Sequence, residues 1–568
     1  MLNLTLDGST VMIEAPPRET VRLKRVPGTR YYKSIDRWAM PLTMTSVACL
    51  QEWPTGVGMD EDIVAAFDDL SLWGTTQDTI RNDTRPLKGR EFLYPFQAAG
   101  VRFIGKGKRV LVADEMGTGK TVQAITAIDL ADAYPALIIC PNSLKHNWAK
   151  EVEMWSDATP VVIEGTATKR AKLIADAWEL QDREQQNVVI INYESLVKHT
   201  KEKSFGNTVL SDKDKEPGEL NDIPWQAVVV DEAHRIKSPK AHSTRAVWGV
   251  SQMAPYRIAL TGTPVVNNPD DLWSIMHFLD PEGFPSRTRF RDRYCLMRPG
   301  YHGGVENMGL QEGPPRTELD LQVRPRFIRR TKMAVLPELP DKILSTRRIP
   351  LTPAQTKAYN QMVKNMMAEL KSGILMATDP LTLLGRLRYV ASAMPEVNED
   401  LDVISLSTPS NKLNEVKDIL EGGSGQLVVY GESRKLMELL QEELWRSYSV
   451  GMITGAVPVR VRQGYVDMFQ RGELDIMLAT TGAGAEGITL TAANRMVVVQ
   501  ESWSNVANKQ AHDRIHRIGQ DRGTEIITLI SEGTVDEAVH RATVEKEGQL
   551  QALVRDPEWL MAAARGDL

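Results

Sequence analysis

Ten short apolar runs constrain the chain more than any other feature. Five fall between residues 85 and 275: 109–113 (RVLVA), 137–140 (LIIC), 188–191 (VVII), 227–230 (AVVV) and 257–260 (RIAL). Each is too short for a buried helix and rich in branched residues, as the central strands of parallel sheets are. Helical stretches such as 121–130 and 144–155 separate them, so the pattern predicts a doubly wound α/β domain. It recurs at 426–430, 452–454, 475–479, 495–500 and 525–530, which predicts a second domain of similar size.

The expected fold class is therefore α/β: two doubly wound parallel-sheet lobes, a small β-rich N-terminal module and helical insertions. The 568 residues divide into a module at 1–84, a first lobe at 85–335, a helical insertion and linker at 336–404, a second lobe at 405–535 and C-terminal helices at 536–568. Within them, 201–224 reads as a charged surface loop, 353–390 as helical, and the Pro/Ser-containing 395–411 as a linker. The start, MLNLTLDGST, has neither a basic stretch nor an apolar core, and no run approaches the roughly 18 apolar residues that span a bilayer. Three cysteines, Cys49, Cys140 and Cys295, are too scattered for a zinc motif and suit a reducing compartment.

The chemistry begins at 114–121, DEMGTGKT, between a predicted strand and a predicted helix. Gly117, Thr118 and Gly119 let backbone N–H groups close on phosphate oxygens at a helix N-terminus. Lys120 is placed for the β- and γ-phosphates of ATP, and Thr121 for Mg²⁺. Asp114 stands where the GxxxxGK[ST] pattern has its first glycine. At the end of a later strand, DEAH at 231–234 supplies Asp231 to hold Mg²⁺ and Glu232 to orient and deprotonate a water. His234 reads as a structural or coupling residue, since no second His or Cys lies near. After the next strand, the hydroxyls of Thr261-Gly262-Thr263 are placed to bond the acidic motif and relay its state. Near the C-terminus, QAHDRIHRIGQ at 510–520 offers Arg514 and Arg517, three apart, to complete an ATP site from a second lobe.

Net charge is −6, with a pI near 6.0, yet local basic patches can bind phosphate on an acidic protein. Two qualify. Residues 18–38 hold Arg18, Arg22, Lys24, Arg25, Arg30, Lys33 and Arg37, interleaved with Tyr31, Tyr32 and Trp38; residues 324–332 hold Arg324, Arg326, Arg329, Arg330 and Lys332. A solvated charged face is the alternative for both. The aromatics favour the first patch, because rings stack on bases while cations neutralise phosphate.

The strings LYPFQAAGVRFI, DEMGTGKT, LIICPNSLKHNW, DEAHRIKSP, LTGTPVVNNPDDLWSIMHFLDP, FIRRTKMAVLPELPDK, TGAGAEGITLTAAN and QAHDRIHRIGQ together resemble the Swi/Snf family of superfamily-two ATPases. The resemblance covers about residues 90–550, in order and with spacing intact. The QRxGRxGR-like ending of RNA helicases is absent. The resemblance implies two RecA-like lobes that translocate along duplex DNA on ATP. It implies that Gln97 reads the adenine edge, that Arg514 and Arg517 are arginine fingers, and that Gln510 and Gly487 face the nucleotide. It assigns Pro141, Ser143, Lys145, Asn192 and Tyr193 to the DNA backbone on the first lobe. On the second, Arg434, Thr454, Gly455, Thr481, Gly482 and Trp503 match contact or coupling positions, and Trp503 fits a buried core tryptophan equally well. Most such contacts would go to phosphates, implying little sequence preference. Glu486 departs from the uncharged residue many relatives carry there.

Residues 25–43, RVPGTRYYKSIDRWAMPLT, read as a strand, a turn and a tryptophan-bearing strand. They are similar to the HARP-type module of annealing helicases and fork-remodelling translocases. That likeness assigns Arg25, Arg30, Tyr31, Lys33 and Trp38 to DNA; a small cap on the first lobe is the alternative. The leading expectation is an ATP-driven duplex translocase acting on forks, bubbles or junctions. Alternatives are a protein-displacing remodeller of DNA-bound complexes, a true unwinding helicase, and a nucleotide-gated clamp, the last opposed by the intact acids and arginines. DNA is the expected partner, no membrane is, and protein partners are unassigned. The expected location is the nucleoid of a bacterial or phage-infected cell, or the nucleus in a eukaryote.

Overall fold

The computed structural model describes the chain except residues 1, 25, 27, 52, 182–185, 206–209, 211–217, 263–268, 300–304, 312, 485–487 and 546–568. It falls into two compact units, Met1–Val335 and Leu336–Leu568.

The first unit opens with a five-stranded sheet, ordered β3-β4-β2-β1-β5, from β1 (Leu2–Asp7), β2 (Thr10–Glu14), β3 (Arg30–Tyr32), β4 (Arg37–Pro41) and β5 (Val57–Met59). Its inward positions, Leu2, Leu4, Val11, Ile13 and Trp38, bury a small core closed by Ile63 and Phe67 of the helix Glu61–Ile80. Asp60 caps that helix by accepting from Ile63 N at 2.9 Å.

Next comes a seven-stranded, all-parallel sheet. Its strands are β6 (Arg109–Val112), β7 (Ala136–Cys140), β8 (Thr159–Val162), β9 (Asn187–Asn192), β10 (Ala227–Val230), β11 (Tyr256–Leu260) and, after an antiparallel ribbon of β12 (Cys295–Pro299) and β13 (Val305–Leu310), β14 (Phe327–Ile328). The order is β14-β6-β11-β10-β7-β9-β8. Strand side chains alternate between two cores, Leu111, Leu137, Val189, Val228 and Ala259 on one face and Val110, Ile138, Ile190, Val229 and Ile258 on the other. Both faces are covered by helices, which is why the five runs carry no polar alternation. The edge strands β8 and β14 are not among those runs, since β8 opens on Thr159 and Pro160 and β14 has only two residues.

The second unit repeats the plan with β15 (Lys342–Ile349), β20 (Leu427–Gly431), β21 (Val450–Ile453), β22 (Ile476–Thr480), β23 (Arg495–Val498) and β24 (Thr524–Ser531), all parallel, ordered β15-β24-β23-β20-β22-β21. The insertion before it departs from expectation twice. Residues 353–390 are two helices, Pro353–Asn365 and Pro380–Val390, interrupted by a hairpin of β16 (Met367–Leu370) and β17 (Gly373–Met376). The expected linker at 395–411 largely forms a second hairpin, β18 (Met394–Val397) with β19 (Val403–Ser407), whose Val397, Val403 and Leu406 reach the lobe's core. Of the expected C-terminal helices, Val535–Glu545 is described.

Candidate active site

Parallel strands point their C-terminal ends to one edge, and in open α/β sheets ligands bind there. Every first-lobe motif lies on that edge, in sheet order. The phosphate loop follows β6, Thr261 and Gly262 follow β11, and DEAH follows β10. Pro141–Lys145 then follows β7, and Tyr193 follows β9.

In the phosphate loop, Gly117 and Gly119 take φ of 77° and 80°, values that favour glycine. The loop ends at the helix Lys120–Leu130. Lys120 Nζ lies back across it, donating to the carbonyls of Asp114 at 2.9 Å and Glu115 at 3.2 Å, while Thr121 is half-buried in the first turn. Buried Gln97 accepts from Tyr94 N at 3.0 Å and donates to Thr118 O at 2.9 Å. Its amide therefore braces the loop in this structure. Asp114 is wholly buried and ion-paired to Arg330, with Gln123 Nε2 at 3.4 Å. Arg330 also donates to Gln123 Oε1 at 2.8 Å and to the carbonyl of Phe96, over whose ring it lies.

Asp231 is held from four directions. Its N–H donates to Ile139 O at 2.8 Å, and its Oδ1 accepts from Glu232 N at 2.8 Å. Oδ2 accepts from the Trp148 indole at 2.9 Å, and the carbonyl accepts from the Tyr193 hydroxyl at 2.5 Å. Burial, and then the neighbouring Glu232, push the Asp231 carboxyl up to about 6. Glu232 sits in the left-handed region at φ 50°, with His234 Nδ1 at 3.3 Å from its carboxylate. Thr261 is buried, its N–H on Val112 O at 3.1 Å; a Cβ on Gly262 would meet Met116 at 2.2 Å and Lys120 Nζ at 3.3 Å. The expected partner Thr263 lies outside the described residues. Among the described residues no cluster of three His, Cys, Asp or Glu side chains surrounds one point. A hydroxyl and one carboxylate fit a hard cation that completes its shell with water and phosphate oxygens, the habit of Mg²⁺.

Beside the acids lies a cavity of about 430 Å³, lined by Asn142, Lys145, Glu164, Arg170, Asn192 and Ser195 among others. Several expected DNA contacts are inward here. Pro141 is buried, Ser143 half-buried. Lys145 is 6% exposed and donates to Ile163 O at 3.0 Å, and burial lowers its pKa. Asn192 is buried and donates to Glu194 at 2.6 Å. Tyr193 is 3% exposed and donates its hydroxyl to the Asp231 carbonyl.

Second-lobe positions also gather on one edge, after β20, β21, β22 and β23. Arg434 is exposed and pairs with Glu438 at 3.2 Å; Thr454 is fully buried; Gly455 and Gly482 are exposed. Thr481 donates to Gly431 O at 3.3 Å. Trp503, left open by sequence, packs partly buried on the lobe's core with Arg388 over its ring at 5.8 Å. Arg514 departs from an outward finger: it is 8% exposed and donates to the carbonyls of Gln510 at 3.0 Å and Ile488 at 3.4 Å. Carbonyls at a helix end need donors, and Arg514 follows the helix Asn505–His512. Arg517 is half-buried. Gly487 and Glu486 lie outside the described residues.

In the N-terminal module, Arg30, Tyr31 and Lys33 are exposed on the β3–β4 hairpin, and Arg25 lies outside the described residues. Trp38 does not join them. It is 8% exposed in the module's core, with Ala39 and Met40 buried after it along β4 and Tyr31 covering its ring at 5.2 Å. The second basic stretch is a surface only at Arg324 and Arg329; its other cations are turned to partners or buried. Arg324 pairs with Asp78 at 3.0 Å, Arg326 pairs with Asp280 at 3.3 Å and covers Trp73, Arg330 pairs with Asp114, and Lys332 is buried.

Two site residues escaped sequence reasoning. Arg330 was visible only as one cation in a basic run, and the missing glycine at Asp114 was the signal of its partner. Trp148 stands in the string LKHNW, but nothing in sequence ties it to an acid 83 residues on.

A model of the SNF2-related domain matches residues 88–394, more than half of the chain, and a model of the helicase conserved C-terminal domain matches 411–519. The chain is 28% identical over 466 residues to the DNA annealing helicase and endonuclease ZRANB3 of Bos taurus, covering 81% of this chain and 40% of that protein. It is 28% identical over 495 residues to chromodomain-helicase-DNA-binding protein 7 of Gallus gallus, covering 80% and 15%. The chain thus spans less than half the length of either relative. Among solved structures, the Sulfolobus solfataricus SWI2/SNF2 ATPase core in complex with dsDNA matches at 25% identity over 84% of this chain and 95% of that one, with a TM-score of 0.38. No helix among the described residues is long and apolar enough to cross a membrane.

Proposed function

Since the chain belongs to the family carrying the SNF2-related domain, we propose that it is an ATP-hydrolysing motor that travels along double-stranded DNA and acts at forks, bubbles or junctions. The observation that carries this reading is the shared edge: nucleotide motifs on β6, β11 and β10 run directly into the cavity-lining motifs on β7 and β9. Hydrolysis and nucleic-acid contact are thereby neighbours in one sheet.

Lys120 leaves the carbonyls of Asp114 and Glu115 for the β- and γ-phosphates, while the N–H groups of 117–121 cradle them. Thr121 and Asp231 would hold Mg²⁺, which neutralises charge on the phosphates as the bond to the γ-phosphoryl breaks. Glu232 takes a proton from the attacking water, with His234 fixing its carboxylate. Arg517 supplies positive charge from the second lobe, and Arg514 orders the turn that presents it. The exposed cations and rings of the β3–β4 hairpin suit a junction of duplex and single strand, where bases are open to stacking. We place the working divisions at 1–84, 85–335, 336–404, 405–535 and 536–568.

The test is ATP turnover with duplex, forked and single-stranded DNA and with RNA. Duplex and fork should stimulate, Lys120→Ala should abolish turnover, and Arg517→Ala should keep ATP binding while stopping hydrolysis. Stimulation by RNA alone would overturn the reading.

A further inference from the structure

Both walls of the 430 Å³ cavity end on the same acid. One wall is Asn142 and Lys145, and Lys145 opens the helix Lys145–Trp155. One turn on, the buried indole of Trp148 donates to Asp231 Oδ2 at 2.9 Å. The other wall is Asn192, Glu194 and Ser195, and between them Tyr193 donates to the Asp231 carbonyl at 2.5 Å. Sheet order explains the convergence. β10, which Asp231 follows directly, pairs with β7, and β7 pairs with β9.

We propose that Trp148 and Tyr193 are positioning residues that relay occupancy of this cavity by a nucleic-acid phosphate to Asp231. The proposal rests on the reading of the protein as a DNA-driven ATPase. Trp148 and Tyr193 are 1% and 3% exposed, and close-packed interiors transmit the displacement of a wall to the side chains behind it. Each bond reaches a different part of Asp231, one the carboxylate and one the main chain. Together they fix both where the carboxylate sits and how it is turned. Trp148 and Tyr193 touch neither nucleotide nor water in this scheme; they act through Asp231.

The full chain with Tyr193→Phe, which removes only the hydroxyl, and with Trp148→Phe tests this. Three quantities are read: kcat and KM for ATP at saturating duplex, Kd for labelled duplex by anisotropy, and Mn²⁺ affinity of the nucleotide-bound protein by electron paramagnetic resonance. Duplex-stimulated kcat should fall about tenfold or more in each, the size of an ordinary coupling between sites. KM and the duplex Kd of the nucleotide-free protein should stay within about threefold, and duplex should cease to tighten Mn²⁺. Should Trp148→Phe fail to fold, Tyr193→Phe carries the test alone. A wild type stimulated by duplex beside equally stimulated variants overturns the relay and leaves the ATPase reading standing. Loss of duplex affinity in proportion to kcat overturns it too, since that marks direct contact. A wild type indifferent to every nucleic acid sinks the reading and the relay together.

Discussion

Residues 30–37 and 324–332 are alike as strings of cations and opposite as structures. In the hairpin, Arg30, Lys33 and Arg37 are exposed along with Tyr31 and Tyr32, which are 44% and 45% accessible. In the later stretch, Arg324, Arg326 and Arg330 each face an acid from elsewhere in the unit: Asp78, Asp280 and Asp114. Those three acids lie on the module's long helix, the end of the helix Pro269–Leu279 and the phosphate loop. The stretch is a seam that fastens module, lobe and nucleotide loop together. A run of cations becomes a surface patch only when no distant carboxylate claims it, and the claimants are invisible until the fold is known.

The largest effect should come from the deepest pair. Arg330→Met leaves Asp114 buried with its charge uncompensated, and breaking one side of a buried pair destabilises by about 3–5 kcal/mol. Denaturant unfolding of the purified protein measures it. The double variant Asp114→Asn with Arg330→Met should recover most of the loss, because no charge remains to be satisfied. A single variant as stable as wild type would remove Arg330 from the seam and return it to the surface class.

The sheets were legible because burial on both faces leaves short branched runs with no polar alternation, as in AVVV at 227–230. The two-residue β14 was hidden because Phe327 and Ile328 are flanked by the seam's arginines. Phosphate loop and acids were legible because their chemistry demands fixed residue types close in sequence. The partners of Asp231 were not, since Trp148 and Tyr193 reach it across 83 and 38 residues through strand order alone. For the same reason the burial of Lys145 and Asn192, which line a cavity, was not legible: strand-end residues face outward or inward according to what packs above them. Trp38 failed more simply. It follows a run of exposed residues, 30–37, and begins the buried stretch Trp38–Met40 of β4, a change that the string of cations and rings does not mark.

A base whose burial and neighbouring cations outweigh its acid, Asp280, makes the contrast with Arg330. His277 lines a cavity of about 140 Å³ with Lys203 and Arg257, and its Nδ1 donates to Phe284 O at 2.8 Å. Burial, aided by those two cations, holds its pKa down to about 4. The folded protein therefore binds this proton less readily than the unfolded chain, whose histidine titrates near 6.5. Its contribution to stability is full above about pH 6.5 and is lost as pH falls towards about 4, to a limit of about 3 kcal/mol. The unfolding free energy of His277→Gln minus that of wild type, followed from pH 7.5 to 4.5, should rise towards acid; a flat difference would show the histidine accepts its charge inside. Smaller again is Arg324→Ala. That side chain is 61% exposed, and such pairs contribute about 0–1 kcal/mol, so its loss should barely move the unfolding midpoint.

At the hairpin the seam's logic reverses, and stability should not report at all. Arg30, Lys33 and Arg37 have no core to hold, so replacing all three by alanine should change unfolding free energy by about 0.5 kcal/mol or less. What should change is the ionic part of DNA binding. Each phosphate that a cation neutralises adds about 0.9 to the slope of log affinity against log salt on duplex, so removing three such cations should lower the slope by about 3. Tyr31→Ala with Tyr32→Ala should leave that slope alone and weaken forked DNA more than blunt duplex, because rings stack only on open bases. The two variants therefore separate charge from stacking on one surface. An unchanged salt slope in the first would mean the hairpin's cations are merely solvated, and the two basic stretches would then differ in burial without differing in purpose.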